Sequence, residues 1–194
     1  HLGGRVVTHD SFGTATLHVD ALTFDLAMAR TERYRRPGAL PIVQPGTLVE
    51  DLHRRDFTVN AIAMSLDEFA LGDVIDPLQG RADLDAGCIR VIHDQSLLDD
   101  PTRILRAVRY QARFRFQLAE NTREILTSCV WGLRRISRDR LRHEIQRILE
   151  EGEPERVLEL AQDQQVLDAM HLKLRWDQRL ARWFAGARQA GVAS

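Results

Sequence analysis

Asp99-Asp100-Pro101-Thr102-Arg103-Ile104-Leu105-Arg106-Ala107-Val108-Arg109 is the stretch at which the chain changes character. Asp100 followed by Pro101 makes a good N-cap and first-turn pair. From there the apolar period is helical through Phe114. Projected on a helix, Arg103, Arg106, Arg109 and Arg113 gather on one side, and Ile104, Leu105, Val108 and Ala112 on the other. The spacing therefore predicts a helix over 101–114 with an arginine face and a core face.

Ahead of this helix the chain reads as β-rich. Arg5-Val6-Val7, Thr14 to Val19 and Leu22 to Ala29 are strand-like runs broken by Asp and Gly. In the third run Phe24, Leu26 and Met28 alternate with Thr23, Asp25 and Ala27, which places Asp25 on the more polar face. Residues 33–49 carry three prolines and two glycines and read as a loop. Phe57 to Leu66 reads as a short helix with Asp56 as its N-cap. Val74-Ile75 and Ile89 to Ile92 read as strands around Asp76-Pro77 and Gly80 turns. Beyond Phe114, helices are expected over 120–131, 138–150, 154–168 and 172–185. The expected fold class is α+β, in three sections: a head over 1–93, a helical nucleotide-binding and neck region over 94–170, and the start of a helical body over 171–194.

Composition supports a globular chain. The 194 residues are 44% hydrophobic and 28% charged. No apolar run is long enough to span a bilayer, and no signal peptide is visible. Two cysteines, Cys88 and Cys129, are too few for a disulfide scaffold and fit a reducing cytoplasm. The net charge of −1 conceals a segregation. Residues 1–100 hold nine arginines against sixteen acids, a net of −7, whereas residues 101–150 hold twelve arginines against five acids, a net of +7. A basic block of that size suits phosphate-bearing partners. Lys173 is the only lysine, so a P-loop is excluded.

Two clusters can carry chemistry. In Arg54-Arg55-Asp56-Phe57-Thr58-Val59-Asn60, two arginines beside an expected helix N-terminus would make an anion site suited to a triphosphate. Asp56 and Asn60, four apart, would share a helix face. The same letters also suit a plain helix cap with solvated arginines. In the second cluster Asp100 and Arg103 form an acid–guanidinium pair. A carboxylate accepts from the exocyclic amine of cytosine or adenine and repels the carbonyl that uracil or guanine carries there; the guanidinium donates to ring acceptors. A capped amphipathic helix with a solvated arginine face explains the same residues. Asp83-Leu84-Asp85 has the letters of a metal-binding pair but is expected to be a solvated surface pair in a turn. Trp131, Trp176 and Trp183 are expected to be packing residues.

Both clusters resemble signature motifs of the class II tRNA nucleotidyltransferase and poly(A) polymerase family. Ile75-Asp76-Pro77-Leu78-Gln79-Gly80, Asp83-Leu84, Gly87-Cys88-Ile89-Arg90, Gly13-Thr14-Ala15-Thr16 and Asp25 to Glu32 fit it as well, in the right order over residues 1–170. The resemblance implies the rear part of a polymerase-β-like nucleotidyltransferase head followed by an all-helical neck. It implies addition of A and/or C from ATP or CTP to a tRNA 3′ end, with Mg²⁺ and release of pyrophosphate. Arg55 would bind the triphosphate and Asp56 and Asn60 would organise the ribose. Asp100 and Arg103 would read the base, and Arg106 and Arg109 would complete the pocket. Asp25 would be the third carboxylate beside the metal site. The family's Gly-Gly motif and its metal-holding Asp-x-Asp pair are absent from these residues, so the resemblance implies no metal ligand here and a piece inactive alone. A non-catalytic nucleotide- or RNA-binding piece and a poly(A) polymerase are the alternatives.

Overall fold

The structure, a computed structural model, describes residues 4–9 and 13–191; the sequence readings that touch 1–3, 10–12 and 192–194 lie outside it. Strands β1 (Arg5–His9), β2 (Thr14–Val19) and β3 (Leu22–Ala27) form an antiparallel sheet in that order. Thr16 lies opposite Asp25 and donates its hydroxyl to Asp25 at 2.8 Å. Every residue of β3 is exposed, so the alternation along it separates no inside from an outside.

The segment expected as a loop is partly ordered. β4 (Arg30–Arg33) pairs antiparallel with β5 (Ile42–Pro45), Arg30 opposite Pro45. α1 (Leu48–His53) follows at once. Its signal was in the letters: Thr47 and Glu50 form a capping box, each side chain bonding the other's backbone N–H.

The expected helix over 57–66 is not formed. Thr58–Asn60 makes one 3₁₀ turn, and the chain goes on into β6 (Ala63–Met64), paired with β7 (Val74–Ile75). Fully buried Phe57 bridges to Val91 in extended geometry. A long-range strand contact has overridden the local helical pattern.

α2 (Gly80–Asp85) begins where Asp76 accepts from the Gly80 and Arg81 N–H groups at 2.7 and 2.9 Å. A Cβ on Gly80 would stand 2.1 Å from the Thr58 carbonyl oxygen. Gly80→Ala is therefore expected to destabilise the fold by about 1–3 kcal/mol, read in a urea titration. This close approach also corrects the reading of Asp83. That residue is buried and accepts from Thr58 Oγ1 at 2.7 Å and from Arg90 Nε at 2.9 Å, while Asp85 stays exposed. Burial works to raise the Asp83 carboxyl, but the Arg90 and Thr58 hydrogen bonds hold it below the usual range.

β8 (Cys88–Ile89) runs parallel to β9 (Gln117–Leu118). Between them lie α3 (Ser96–Asp99) and α4 (Thr102–Phe114), the helix predicted from the opening stretch. α5 (Glu120–Cys129), a 3₁₀ segment over Val130–Arg135, α6 (Arg138–Leu149), α7 (Pro154–Asp163), α8 (Val166–Met170) and α9 (Gln178–Gln189) follow. The single helix expected over 154–168 is split because Gln165 takes a left-handed conformation, φ 60°.

One buried cluster joins Phe57, Ile89, Val91 and Leu97 to Ile104, Leu105 and Val108 of α4 and on to Val157 and Val166. Each such side chain contributes about 1.5–3 kcal/mol on burial. The tryptophans divide: Trp176 packs against this cluster, whereas Trp131 and Trp183 are exposed, each beneath an arginine. Among the described residues, no helix is long and apolar enough to cross a membrane.

Candidate functional site

The arginine face of α4 is mostly withdrawn from solvent, Arg113 alone being exposed. Arg103 is 6% and Arg109 5% exposed, and Arg106 is half-buried. Arg103 donates from Nη2 to the Arg54 carbonyl at 2.7 Å, and from Nη1 to Ser96 Oγ at 2.6 Å and the Arg55 carbonyl at 3.2 Å. A guanidinium has five N–H donors, so Nε and one Nη2 hydrogen are left over. Arg106 bonds Asp56 Oδ2 at 2.7 Å and Tyr110 Oη at 2.9 Å. The other Asp56 oxygen accepts from Asn60 Nδ2 and the Phe57 N–H, both at 2.9 Å. Asp56 and Asn60 thus meet as expected, around a single turn rather than along a helix.

Arg54 and Arg55 follow the C-terminus of α1, with Arg54 as its C-cap, and the only helical element just after them is the single 3₁₀ turn over Thr58–Asn60 rather than the expected α-helix. Buried Asp51, which sequence reasoning missed, arranges them. Its Oδ1 accepts from Arg54 Nη2 at 2.7 Å and from the Arg30 N–H at 3.1 Å. Its Oδ2 accepts from Arg55 Nη2 at 3.0 Å. Burial works to raise the Asp51 carboxyl, yet the Arg54 and Arg55 hydrogen bonds, with the Arg30 N–H, hold it below the usual range. Arg54 Nη1 also reaches Glu32 at 2.8 Å, and Glu32 accepts the Tyr34 hydroxyl at 3.0 Å. Burial pushes the Tyr34 phenol upward, so it stays protonated.

These groups wall a cavity of about 590 Å³, within the range of small-molecule sites. Arg54, Arg55, Asp56 and Asn60 come from the segment after α1; Asp100, Arg103 and Arg106 come from the head of α4. Glu32, Tyr34, Thr102, Tyr110 and Glu144 complete the wall. Asp100 Oδ1 accepts from Thr102 Oγ1 at 2.7 Å, the Thr102 N–H at 3.1 Å and Arg140 Nη2 at 2.6 Å. Its Oδ2 has no partner among the described residues. Asp100 and Arg103 therefore share the wall without bonding to each other.

Two expected site residues lie elsewhere. Arg109 faces Glu151 at 3.6 Å, away from the cavity wall. Asp25 is exposed on β3 and lines no part of the cavity. Among the described residues, no group of three or more His, Cys, Asp or Glu side chains could hold a metal ion.

Of the contributors that sequence reasoning missed, Asp51 had a signal in the Thr47–Glu50 capping box. Tyr110 follows Arg106 by one helical turn. Glu144 and Arg140 come from α6 and had none.

Residues 2–90 match the family described as "Poly A polymerase head domain", and residues 115–174 match "Probable RNA and SrmB- binding site of polymerase A". The A-adding tRNA nucleotidyltransferase of Halalkalibacterium halodurans is 39% identical over 158 residues, covering 79% of this chain and 37% of that protein. The CC-adding tRNA nucleotidyltransferase of Deinococcus radiodurans is 44% identical over 55% of this chain and 29% of that protein. A solved CCA-adding enzyme, apo form II, superposes with a TM-score of 0.89 at 38% identity, over 97% of this chain and 45% of that one. A tRNA nucleotidyltransferase complexed with a primer tRNA and an incoming ATP analog superposes with a TM-score of 0.82 at 35% identity, over 96% of this chain and 53% of that one. The chain spans well under half the length of these curated relatives. With both regions matched in order and the fold shared over 97% of its length, the chain belongs to the poly(A) polymerase head-domain family that includes the tRNA nucleotidyltransferases.

Proposed function

We propose that this chain carries the nucleotide pocket of a template-independent tRNA 3′-end nucleotidyltransferase, which adds A and/or C from ATP or CTP and releases pyrophosphate. The observation that carries this reading is the unpartnered Oδ2 of Asp100 on the same cavity wall as Arg103. In this reading Oδ2 accepts from the exocyclic amine of adenine or cytosine. The two leftover Arg103 donors serve the neighbouring ring acceptor. Uracil and guanine would set a carbonyl against the carboxylate, and each such mismatch costs about 1–3 kcal/mol.

Arg55, the most exposed arginine of the wall, is assigned the triphosphate, with Arg106 beside it. Asp56 and Asn60, already bonded to one another, are assigned the ribose hydroxyls. The tRNA 3′ end is the assigned acceptor, consistent with the basic block over 101–150. Mg²⁺ would align the reacting groups in the whole enzyme, and its ligands are assigned outside the residues described here. Asp25 and Arg109 are assigned to the site by family resemblance alone.

Equilibrium competition binding of the four nucleoside triphosphates tests the reading. The chain is expected to prefer ATP and CTP over GTP and UTP, and Asp100→Ala to reduce that preference about ten-fold or more. Equal affinity for all four in the unaltered chain counts against the base-reading role. Asn60→Ala is expected to narrow the gap between ATP and dATP while leaving base preference unchanged.

A further inference from the structure

We propose that Arg140 of α6 is the positioning residue for base selection. The proposal rests on the base-reading role given to Asp100. Arg140 lines a neighbouring cavity of about 470 Å³, not the nucleotide cavity, so it acts through Asp100. Its Nη2 bonds Asp100 Oδ1 at 2.6 Å, and its Nη1 bonds the Gly38 carbonyl at 3.2 Å. Both side chains of the pair are mostly buried, 22% and 17% exposed.

The geometry explains why one Asp100 oxygen is the reader. Arg140 and the two Thr102 donors load Oδ1 with three hydrogen bonds and leave Oδ2 with none. The carboxyl group is thereby fixed in rotation, with a defined acceptor left for a ligand. Thr102 alone donates two bonds but brings no charge. Among the described residues Arg140 is the only cation bonded to Asp100, whose cavity wall also holds Glu32, Asp56 and Glu144. Arg103 does not play this part: among the described residues its hydrogen bonds go to two backbone carbonyls and Ser96, and none goes to Asp100.

Arginine is required by the span. Its two terminal nitrogens reach two acceptors on different segments, Asp100 on the approach to α4 and Gly38 in the link between β4 and β5. Gly38 is itself held by its N–H to the Asp99 carbonyl at 3.0 Å. A lysine ammonium is one compact charge and can replace one of the two bonds.

The test uses the 194-residue chain with Arg140→Met and Arg140→Lys, measuring affinities for ATP, CTP, GTP, UTP and inorganic tripolyphosphate, together with Tm. In Arg140→Met, the preference for ATP over GTP and for CTP over UTP is expected to fall about ten-fold, the worth of one charge-assisted hydrogen bond. Tripolyphosphate affinity should stay within about two-fold, because the arginines that would hold phosphate are untouched. Arg140→Lys, which keeps the charge, should fall between the two and serves if the Met variant does not fold. Unchanged base preference in both variants overturns the proposal. So does a loss shared equally by all four nucleotides and tripolyphosphate with a lowered Tm, which would make Arg140 a folding residue only. An unaltered chain with no base preference defeats the Asp100 reading itself, an outcome visible before any variant is made.

Discussion

Arg103→Met is expected to destabilise the chain by about 3–5 kcal/mol and to abolish selective nucleotide binding. The guanidinium is buried and, among the described residues, supplies the only side-chain donors to the Arg54 and Arg55 carbonyls, as well as one to fully buried Ser96. Methionine fills a similar volume and donates nothing, so three acceptors lose their partner together. Each buried polar group left unsatisfied costs about 1–3 kcal/mol. The loss should appear as a lower urea midpoint with an unchanged slope. Arg103→Lys should recover little, because one ammonium cannot span three acceptors in a fork. A midpoint within the error of the unaltered chain would show that the α4 guanidinium is a ligand group alone and not also the tie between α4 and the segment after α1.

Asp51→Asn is the second large effect, at about 3–5 kcal/mol. The carboxylate separates and neutralises two guanidiniums three and four residues on, and it also anchors the Arg30 N–H of β4. An amide keeps the size, removes the charge and places an N–H₂ where an arginine donor must be met. Arg54 and Arg55 are then left as adjacent cations without their shared partner, although Glu32 still holds Arg54. The pH dependence carries a signature. The Asp51 carboxyl is held below its ordinary value in the fold, so the unfolded chain binds the proton first as pH falls. Its contribution is complete above the unfolded value of about 4 and is lost as pH drops through the depressed folded value. Asp83 behaves the same way through Arg90 and Thr58. Stability measured from pH 7 downward should therefore fall on the acid side, and Asp51→Asn should flatten that limb without removing it, because Asp83 remains. An acid limb of unchanged steepness would mean that Asp51 is not held as the structure shows.

The helical half was largely legible. α4, α5, α6 and the start of α7 were found from apolar period, from the Asp100-Pro101 boundary and from Pro154, all signals that act over one or two turns. The order of the motifs was legible too, and with it the family. The errors share one cause. Phe57–Leu66 has a helical pattern, but the strand contact between Phe57 and Val91, thirty-four residues on, decided the backbone. Asp83 looked like a surface acid because nothing nearby in sequence marks the close approach of Gly80 to Thr58. The wheel placed the arginines of α4 together correctly, yet solvent was the wrong medium for two of them. Their partners, the carbonyls of Arg54 and Arg55 and the Glu151 carboxylate, stand forty or more residues away in the chain.

By itself the sequence determined which residues lie on which side of α4, where the helices of the second half begin, and that Asp56 and Asn60 come within reach of each other. These follow from the fixed geometry of a peptide turn and from capping groups a few residues apart. Only the tertiary structure decided that Asp51 gathers the two arginines, that Arg106 closes on Asp56, and that Asp100 answers to Arg140 rather than to Arg103. A buried charge takes whichever opposite charge chain closure brings to it, and that choice depends on every element between them.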